Sequence, residues 1–399
     1  MEYDDQLRRS GLDYGLAKVL FPAFVTIGNS STAYRSGPSS RSLPRAAMTG
    51  FQPLETAVAP FYSNALYVYP EHEDHDQNDL FPANWPYTVI SQGSSGSDKP
   101  FLDALLLTLA AFPAETRQRL QDERLIAPAL QMILRYGMEN VLSPEHYRSG
   151  RAHPTAFNAN QINQVAMILQ ANALQADAIP PMPQIEVVEE TFLDHAGLLG
   201  RSEKLFDTPA AIARVWRDHA GRKRMVLSAA STHDPNGRSL RFDWVLLRGD
   251  PSSVKIRTMD QAGAVVEVLM DWHDPGATNA PDGKASARID IGLIVNNGVN
   301  DSAPAFFSVL LPHFQQRAYD VDAAGVPRLL EIDYRNANRA LSYDPLLHWS
   351  APWRDTFLYD DQGNLTAWKR FITSNEIHVD PAGELIPQPG TILEFRERE

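Results

Sequence analysis

The stretch Leu227–Trp244, LSAASTHDPNGRSLRFDW, decides the fold of the middle of the chain. Its centre, Asp234–Gly237, is a strong turn signal, because proline presets φ, asparagine tolerates left-handed backbone and glycine accepts positive φ without steric cost. After the turn, Leu240, Phe242 and Trp244 alternate with polar residues, which is the period-two pattern of a half-buried strand. The stretch therefore predicts a strand, a tight turn and a second strand.

Outward from this stretch, short apolar runs alternate with loops rich in glycine, proline, aspartate and asparagine. Further strands are predicted at Arg224–Leu227, Ser253–Arg257, Ala264–Met270, Ala287–Val295 and Ala305–Leu311. Several short strands at this spacing favour an antiparallel β-sandwich. We expect Trp244 to fill its inner face, because large aromatic side chains dominate the packing of such cores.

The turn and the strand after it resemble the PKD (polycystic kidney disease) repeat, an immunoglobulin-like family. Its hallmark combines a serine, a DPDG turn and a strand with alternating leucine, aromatic residue and tryptophan. The matching residues are Ser231, Asp234, Pro235, Asn236, Gly237, Leu240, Phe242 and Trp244. A later hallmark turn is matched by Val295–Gly298 with Ser302, whereas the family's usual F-G-D-G is replaced by Leu247–Asp250.

The resemblance begins at Val187 or Arg222 and ends at Pro312. It implies an immunoglobulin-like sandwich of the kind that serves as a spacer or binding module in extracellular and surface proteins. A fold likeness fixes architecture better than activity. We therefore expect an extracellular, periplasmic or cell-surface protein whose partner is a polysaccharide or another protein.

Length and composition limit the classes of protein to which the chain can belong. A chain of 399 residues is long enough for two or three domains with cores of their own. The net charge of −13 disfavours a nucleic-acid or anionic-membrane binder. The absence of cysteine excludes disulfides, thiol catalysis and thiolate metal sites. No apolar run reaches the roughly 18 residues of a membrane-spanning helix, so no span is predicted.

The N-terminal region gives no clear export signal. Leu16–Val25 is apolar but is interrupted by Lys18 and Pro22, and the Arg8–Arg9 pair before it is preceded by acidic residues. We therefore expect the true start of the protein, or its signal, to lie upstream of Met1.

The pattern along the chain predicts an α+β multidomain protein. Residues 1–60 are predicted to be extended or partly disordered, 61–178 a mixed α/β and mainly helical unit, 187–312 the PKD-like sandwich and 313–399 a region of β-hairpins. Within 61–178 the predicted elements are strands at Ala65–Tyr69 and Tyr87–Ser91, then helices at Pro100–Phe112, at Ala114–Tyr136 with a break near Pro128, and at Ala159–Leu174. Ile179–Pro183, with three prolines, is predicted as the linker.

The C-terminal region repeats one short pattern. Strand, aspartate turn with glycine, and strand recur near 319–325, 359–365 and 379–385, and the second copy, LYDDQGNLTAWKRF, resembles the YD-type hairpin of wall-associated bacterial proteins. Trp349, Trp353 and Trp368 lie in this region. They are predicted to be core residues, and the alternative is an exposed platform that stacks on sugar rings.

The segment 71–79 (EHEDHDQND) is a candidate metal site. His72 and His75, with Glu73 or Asp76, are the imidazole and carboxylate ligands that suit zinc. Carboxylates at alternate positions suit calcium, although the glycine and distal glutamate of an EF-hand loop are missing. A solvated acidic loop accounts for the same composition.

The segment 91–100 (SQGSSGSDKP) lies between a predicted strand and a predicted helix. A glycine-rich loop before a helix presents backbone N–H groups to an anion, which makes Gly93, Ser94, Ser95, Gly96 and Ser97 candidate ligand-binding residues. Ser94 or Ser95 is also a candidate nucleophile, with His72, His75 or His153 as the base. The spacing fits neither a P-loop nor a G-x-S-x-G elbow. Ser97 or Asp98 as a helix N-cap is the simpler interpretation.

Two functions remain open. In the first, the chain is a non-enzymatic exported or surface protein, in which the sandwich binds protein or polysaccharide or acts as a spacer. In the second, the unit at 61–178 hydrolyses a polymer or glycoside and the sandwich is its accessory module. We favour the first, because the sequence contains no complete catalytic constellation. The alternative requires the loops at 71–79 and 91–98 to meet in one pocket.

Overall fold

The chain folds into a mixed α/β structure with several β-sheets. The computed structural model describes residues 26–29, 33–35, 58–71, 83–195, 202–274, 287–312, 315–321, 327–334, 353–372, 375–381 and 386. This agrees with the predicted α+β class. None of the helices in these ranges is long and apolar enough to cross a membrane.

The N-terminal unit, described at residues 26–35 and 58–182 apart from gaps, begins with a four-stranded sheet. Its strands are β1 (Thr26–Asn29), β2 (Ala33–Arg35), β3 (Ala65–Glu71) and β4 (Thr88–Gln92), in the order β2-β1-β3-β4. The pairs β1–β3 and β3–β4 are parallel. Two strands from the segment 1–60 therefore belong to this sheet, and Ile27 is fully buried.

Helices cover this sheet. They are α1 (Lys99–Ala111), α2 (Ala114–Asp122), α3 (Ile126–Tyr136), α4 (Pro144–Tyr147) and α5 (Gln164–Ala173). The long apolar run makes α1 a buried helix with Pro100 in its first turn, as predicted. The predicted break in the stretch 114–136 is present at 123–125, where Arg124 has φ +60°. Pro128 follows in the first turn of α3, where no N–H is needed. The third predicted helix starts later than expected, because Asn163 caps α5 through the N–H of Ala166.

Two further sheets face each other in the middle of the chain. Their strands are β5 (Glu186–Glu190), β6 (Lys204–Thr208), β7 (Ala211–Val215), β8 (Arg222–Ser228), β9 (Arg241–Arg248), β10 (Val254–Thr258), β11 (Val265–Asp271), β12 (Arg288–Asn296) and β13 (Ala305–Leu310). The outer sheet has the order β10-β11-β8-β5 and the inner sheet the order β6-β7-β13-β12-β9. Side chains of both sheets share one core, in which Trp216 is fully buried.

Two expectations about these sheets need correction. The inner sheet is not wholly antiparallel, because β7 and β13 run parallel, with Ile212 opposite Phe307. Local alternation predicts strands but not the direction of partners far apart in sequence. Trp244 packs against the core between the sheets but does not fill it: it lies half-buried on the edge strand β9, where its Nε1 donates to the carbonyl of Gly263 at 3.0 Å.

Both faces of the inner sheet are buried. Ile212 points into the core between the two sheets, whereas its neighbours Ala211 and Ala213 join the core of the N-terminal unit. The predicted linker, Ile179–Pro183, is buried along its length. The N-terminal unit and the two sheets are therefore packed against each other as layers.

The C-terminal meander is a five-stranded antiparallel sheet with its strands in chain order. They are β14 (Gln316–Val321), β15 (Pro327–Asp333), β16 (Arg354–Tyr359), β17 (Leu365–Ile372) and β18 (Asn375–Val379). Trp353 and Trp368 are buried in its core with Phe357. The core interpretation is correct for these two tryptophans, and Trp349 lies outside the described residues.

Candidate functional site

The serine- and glycine-rich loop connects β4 to α1 and is closed by its own hydrogen bonds. The hydroxyls of Ser91 and Ser97 share a hydrogen bond of 2.9 Å, and the N–H of Ser97 donates to the carbonyl of Ser94 at 3.0 Å. Gly93 has φ +118°, a value that favours glycine. The predicted side-chain N-cap does not form, because Asp98 has helical φ and ψ and the Ser97 hydroxyl faces Ser91.

The candidate nucleophiles in this loop have no base beside them in the described part of the chain. Ser94 and Ser95 are exposed, and no described histidine hydrogen-bonds to either hydroxyl. A serine nucleophile needs a base within hydrogen-bond reach. Among the described residues, this loop is a surface turn without a catalytic partner.

His153 lies in the protein interior. Its Nε2 donates to the carbonyl of Tyr147 at 2.6 Å, and its Nδ1 accepts from Arg135 at 3.3 Å. Burial, with a smaller effect of Arg135, lowers the pKa of His153 well below its usual value. The imidazole is therefore neutral with both nitrogens engaged, so it cannot act as the predicted base for Ser94 or Ser95.

Arg135 is a buried cation held by neutral groups. Its guanidinium lies 5.0 Å from the ring centroid of Phe157 and 5.3 Å from that of Phe306, and its Nε donates to Gln131 at 3.3 Å. Burial lowers the pKa of Arg135 to about 10. Phe306 belongs to β13, so this cluster joins the N-terminal unit to the inner sheet.

A second buried network also joins the N-terminal unit to the inner sheet. Asp290 on β12 accepts from Arg288 at 2.7 Å and from Ser308 at 2.6 Å. The Ser308 hydroxyl in turn accepts from the N–H of Asn84 at 3.0 Å, and Arg288 donates to Thr155. These polar groups satisfy one another inside the protein, which makes them structural.

The two turns that carry the PKD resemblance, Asp234–Gly237 and Val295–Gly298, also contact the segment between the N-terminal unit and the sandwich. They are called the hallmark turns below. Asn236 in the first turn and Asn297 in the second each donate to the carbonyl of Ile179, at 2.8 and 3.0 Å. Asp234 ties the two turns together by accepting from Asn297 at 2.9 Å, and Asn300 donates to the carbonyl of Ala178. The residues that carry the PKD resemblance therefore clamp the segment that enters the sandwich.

The candidate metal residues His72, His75 and Asp76 lie outside the described residues. The strand before them, β3, ends at Glu71, which is paired in register with Gln92 at the end of the parallel strand β4. Both strands therefore end at the same edge of the sheet. Within the described ranges, no group of three histidine, aspartate or glutamate residues could hold a metal ion.

A surface groove of about 620 Å³ lies between α2, the turn at 176–178 and the first hallmark turn. Arg119 crosses it, since its NH2 donates to the carbonyl of Pro235 at 2.8 Å and also pairs with Glu123 at 3.0 Å. The groove is lined by Glu115, Gln118, Arg119, Asp122, Ala176, Asp177, Pro235 and Asn236. Three carboxylates against one engaged arginine make this surface acidic.

A buried cluster of charged side chains lies in the sandwich and was not predicted from the sequence. The Nζ of Lys223 lies 2.7 Å from Glu203 and 2.6 Å from Asp218, and all three side chains are almost completely buried. Burial and the charge of Asp218 raise the pKa of Glu203, and Lys223 opposes the rise. The sequence does contain a signal for a buried lysine: Lys223 alternates with Met225 and Leu227, so all three lie on the inward face of β8.

No family model matches this chain, and no curated protein matches it. Among solved structures, the chain is similar to a nucleoside hydrolase-related hypothetical protein from Saccharophagus degradans that is associated with carbohydrate metabolism. The sequence identity is 12%, the match covers 65% of this chain and 68% of that chain, and the TM-score is 0.25. A likeness at this level carries no argument about chemistry.

Proposed function

We propose that the chain is a non-enzymatic exported or surface protein, in which the sandwich holds the N-terminal unit in a fixed position and the protein binds a protein or polysaccharide partner. The observation that carries this proposal is the clamp on Ile179, formed by Asn236 and Asn297. It uses the hallmark turns to fix one part of the chain against another. A fixed attachment of this kind supports a positioning role for the sandwich.

The placement of the candidate catalytic groups supports the same proposal. Ser94 and Ser95 are at the surface, whereas His153 is shielded from solvent by its hydrogen bonds to Tyr147 and Arg135. Nucleophilic catalysis requires a nucleophile and a base in contact. These residues do not meet that requirement.

The chemistry of the groove favours a cationic partner. Its carboxylates, Glu115, Asp122 and Asp177, lie around a surface that no aromatic ring lines. The tryptophans considered as sugar platforms, Trp353 and Trp368, are in the core of the meander. Electrostatic complementarity therefore favours a protein segment rich in lysine or arginine over a sugar chain.

Removal of two carboxylates from the groove should lower the affinity of the chain for a basic partner. The unmodified full-length chain is screened against an array of lysine- and arginine-rich peptides alongside an array of soluble polysaccharides. We expect a basic peptide to bind, and Glu115→Gln combined with Asp122→Asn to weaken that binding about three- to tenfold, because two partly exposed charge contacts are lost. The affinity is measured by isothermal titration calorimetry at low salt.

Asp103→Asn combined with Glu139→Gln is the matched control for this experiment. Both residues are exposed on the N-terminal unit but do not line the groove, so the net charge changes equally. An equal loss in both double variants would show a general charge effect and remove the groove from the proposal. Binding of polysaccharide alone would make the partner a glycan.

A hydrolase in the N-terminal unit is the second candidate. The observation that favours it is the pairing of Glu71 with Gln92, which brings the carboxyl ends of the parallel strands β3 and β4 to one edge. Ligands of such sheets bind outside the carboxyl ends of the strands. The sequence continues from Glu71 directly into His72. This candidate requires His72 and His75 to reach Ser94 or Ser95 directly or, together with Asp76, through bound zinc or calcium.

Metal content tests the second candidate. If it is correct, we expect about one equivalent of zinc or calcium in the purified chain, lost when His72 and His75 are replaced with alanine, because each metal–imidazole bond contributes to affinity. Inductively coupled plasma mass spectrometry gives the ratio, with chelator-treated protein as the baseline. His195→Ala combined with His233→Ala, at two exposed histidines, is the matched control. Less than about a tenth of an equivalent would rule out a resident metal at this segment.

A further inference from the structure

The C-terminal meander contacts the sandwich through the turn at 216–221. Arg317 on β14 donates to the carbonyl of Asp218 at 2.9 Å and to that of Trp216 at 3.3 Å. Its guanidinium carbon lies 3.7 Å from the ring centroid of Trp272. An isolated antiparallel bridge joins Ala220 to Arg328 of β15. In the described ranges, Arg317 and Arg328 of the meander therefore both meet this one turn.

His219 lies in the middle of this interface. Its ring stacks on Phe357 of β16, with centroids 6.2 Å apart and an interplanar angle of 30°. The stacking buries one face of the imidazole against an aromatic ring. His219 thus joins the turn to a core residue of the meander.

Charged groups face His219 from several elements. Lys223 on β8 and Arg317 on β14 are the cations, and Glu203 and Asp218 are the carboxylates. Both carboxylates already pair with Lys223. A proton on His219 would therefore place a third cation beside two others, with the nearby negative charge already engaged.

We propose that His219 is an acid-sensitive latch, which holds the C-terminal meander on the sandwich while it is neutral and releases the meander when it takes up a proton. The latch is independent of the groove and of any partner that binds there. It gives this fold two arrangements, one docked and one with strands β14–β18 released, that differ in the accessibility of the turn at 216–221.

The direction of the pH dependence follows from the environment of His219. Burial, then Lys223 and Arg317, lower the pKa of His219 in the docked arrangement, and Glu203 opposes them. In the released arrangement the ring returns toward the ordinary value of about 6.5. Docking is therefore strongest above that pH and weakens by up to about tenfold for each pH unit below it, until the docked pKa is reached.

Hydrogen exchange of the full-length chain tests the latch. Exchange of peptides within 353–372 is measured at pH 7.5 and 5.5, with labelling times scaled for the intrinsic rate. We expect at least about a threefold loss of protection at pH 5.5, while peptides from α1 and β12 keep theirs. His219→Phe, which retains a ring against Phe357 but binds no proton, should keep the meander protected at both pH values.

Two controls keep the result decisive. His233→Gln removes an exposed histidine and His273→Gln removes another half-buried one, and both variants should still lose protection at pH 5.5. If His219→Phe leaves the meander unprotected even at pH 7.5, His219→Gln decides, because it is small and uncharged. Acid-induced loss of protection in the uncharged variants, or no loss in the unmodified chain, would overturn the proposal.

Discussion

Lys223→Met is expected to lower the free energy of unfolding by about 3–5 kcal/mol, because it leaves two buried carboxylates without their cation. The Lys223 ammonium is fully buried and makes contacts of 2.7 Å to Glu203, 2.6 Å to Asp218 and 3.1 Å to the carbonyl of Thr191. Chemical denaturation at pH 7.5, followed by tryptophan fluorescence, measures the loss.

The neighbouring residue provides the control for this variant. Arg224 also pairs with two carboxylates, Glu189 and Glu267, but it does so at the surface, where water screens the charges. Arg224→Met should leave the denaturation midpoint unchanged. The deficit of Lys223→Met should also shrink on acidification, since Glu203 can then bind a proton. Equal losses in the two variants would mean that burial of Lys223 is not what makes it important.

Asp290→Ala is expected to be similarly costly, at about 3–5 kcal/mol. The carboxylate is buried against Arg288, Arg248 and Ser308, and its removal takes away the buried charge with which Arg288 pairs at 2.7 Å. Burial alone would raise the pKa of Asp290, and Arg288, then Arg248 and Ser308, bring it below its usual value. The stabilisation is therefore present above the unfolded-state pKa of about 3.9 and is lost as the pH falls through the lower folded value.

Because this network reaches Asn84 and Thr155, the variant should also loosen the N-terminal unit. Hydrogen exchange of α3 is the second readout, and faster exchange there is expected together with the lower stability. Asp271→Ala, which removes an exposed carboxylate paired with Arg222, is the matched control. If Asp290→Ala lowers stability but leaves exchange in α3 unchanged, the network stabilises only the sandwich.

Much of the secondary structure could be predicted, because it depends on local patterns. The alternation of Leu240, Phe242 and Trp244 gives β9, and the uninterrupted apolar run after Pro100 gives α1. Pro128 follows the break and does not cause it, because proline breaks a helix interior but is tolerated in a first turn. Only the position of the helix start decides between these two effects.

The roles of the candidate site residues depend on hydrogen-bond partners that are distant in sequence. Local sequence patterns do not identify such partners. His153 looks like a loop histidine until Arg135 and Tyr147 are placed on its two nitrogens. Similarly, Asn297 is an ordinary turn residue until its amide is seen to reach the carbonyl of Ile179. The hydrophobic pattern predicts that a strand is buried, but not which surface covers it.

Burial of the inner sheet on both sides has a consequence for modularity. A sandwich that can be moved between proteins needs a polar exterior, so that it stays soluble wherever it is inserted. Here Ala211 and Ala213 alternate with Ile212, and each face of β7 serves a different core. Gene fusion or excision at the boundary near 183 would therefore expose an apolar layer. The segment that resembles the repeat is therefore one layer of a larger packed structure, and its removal would uncover apolar side chains of the N-terminal unit.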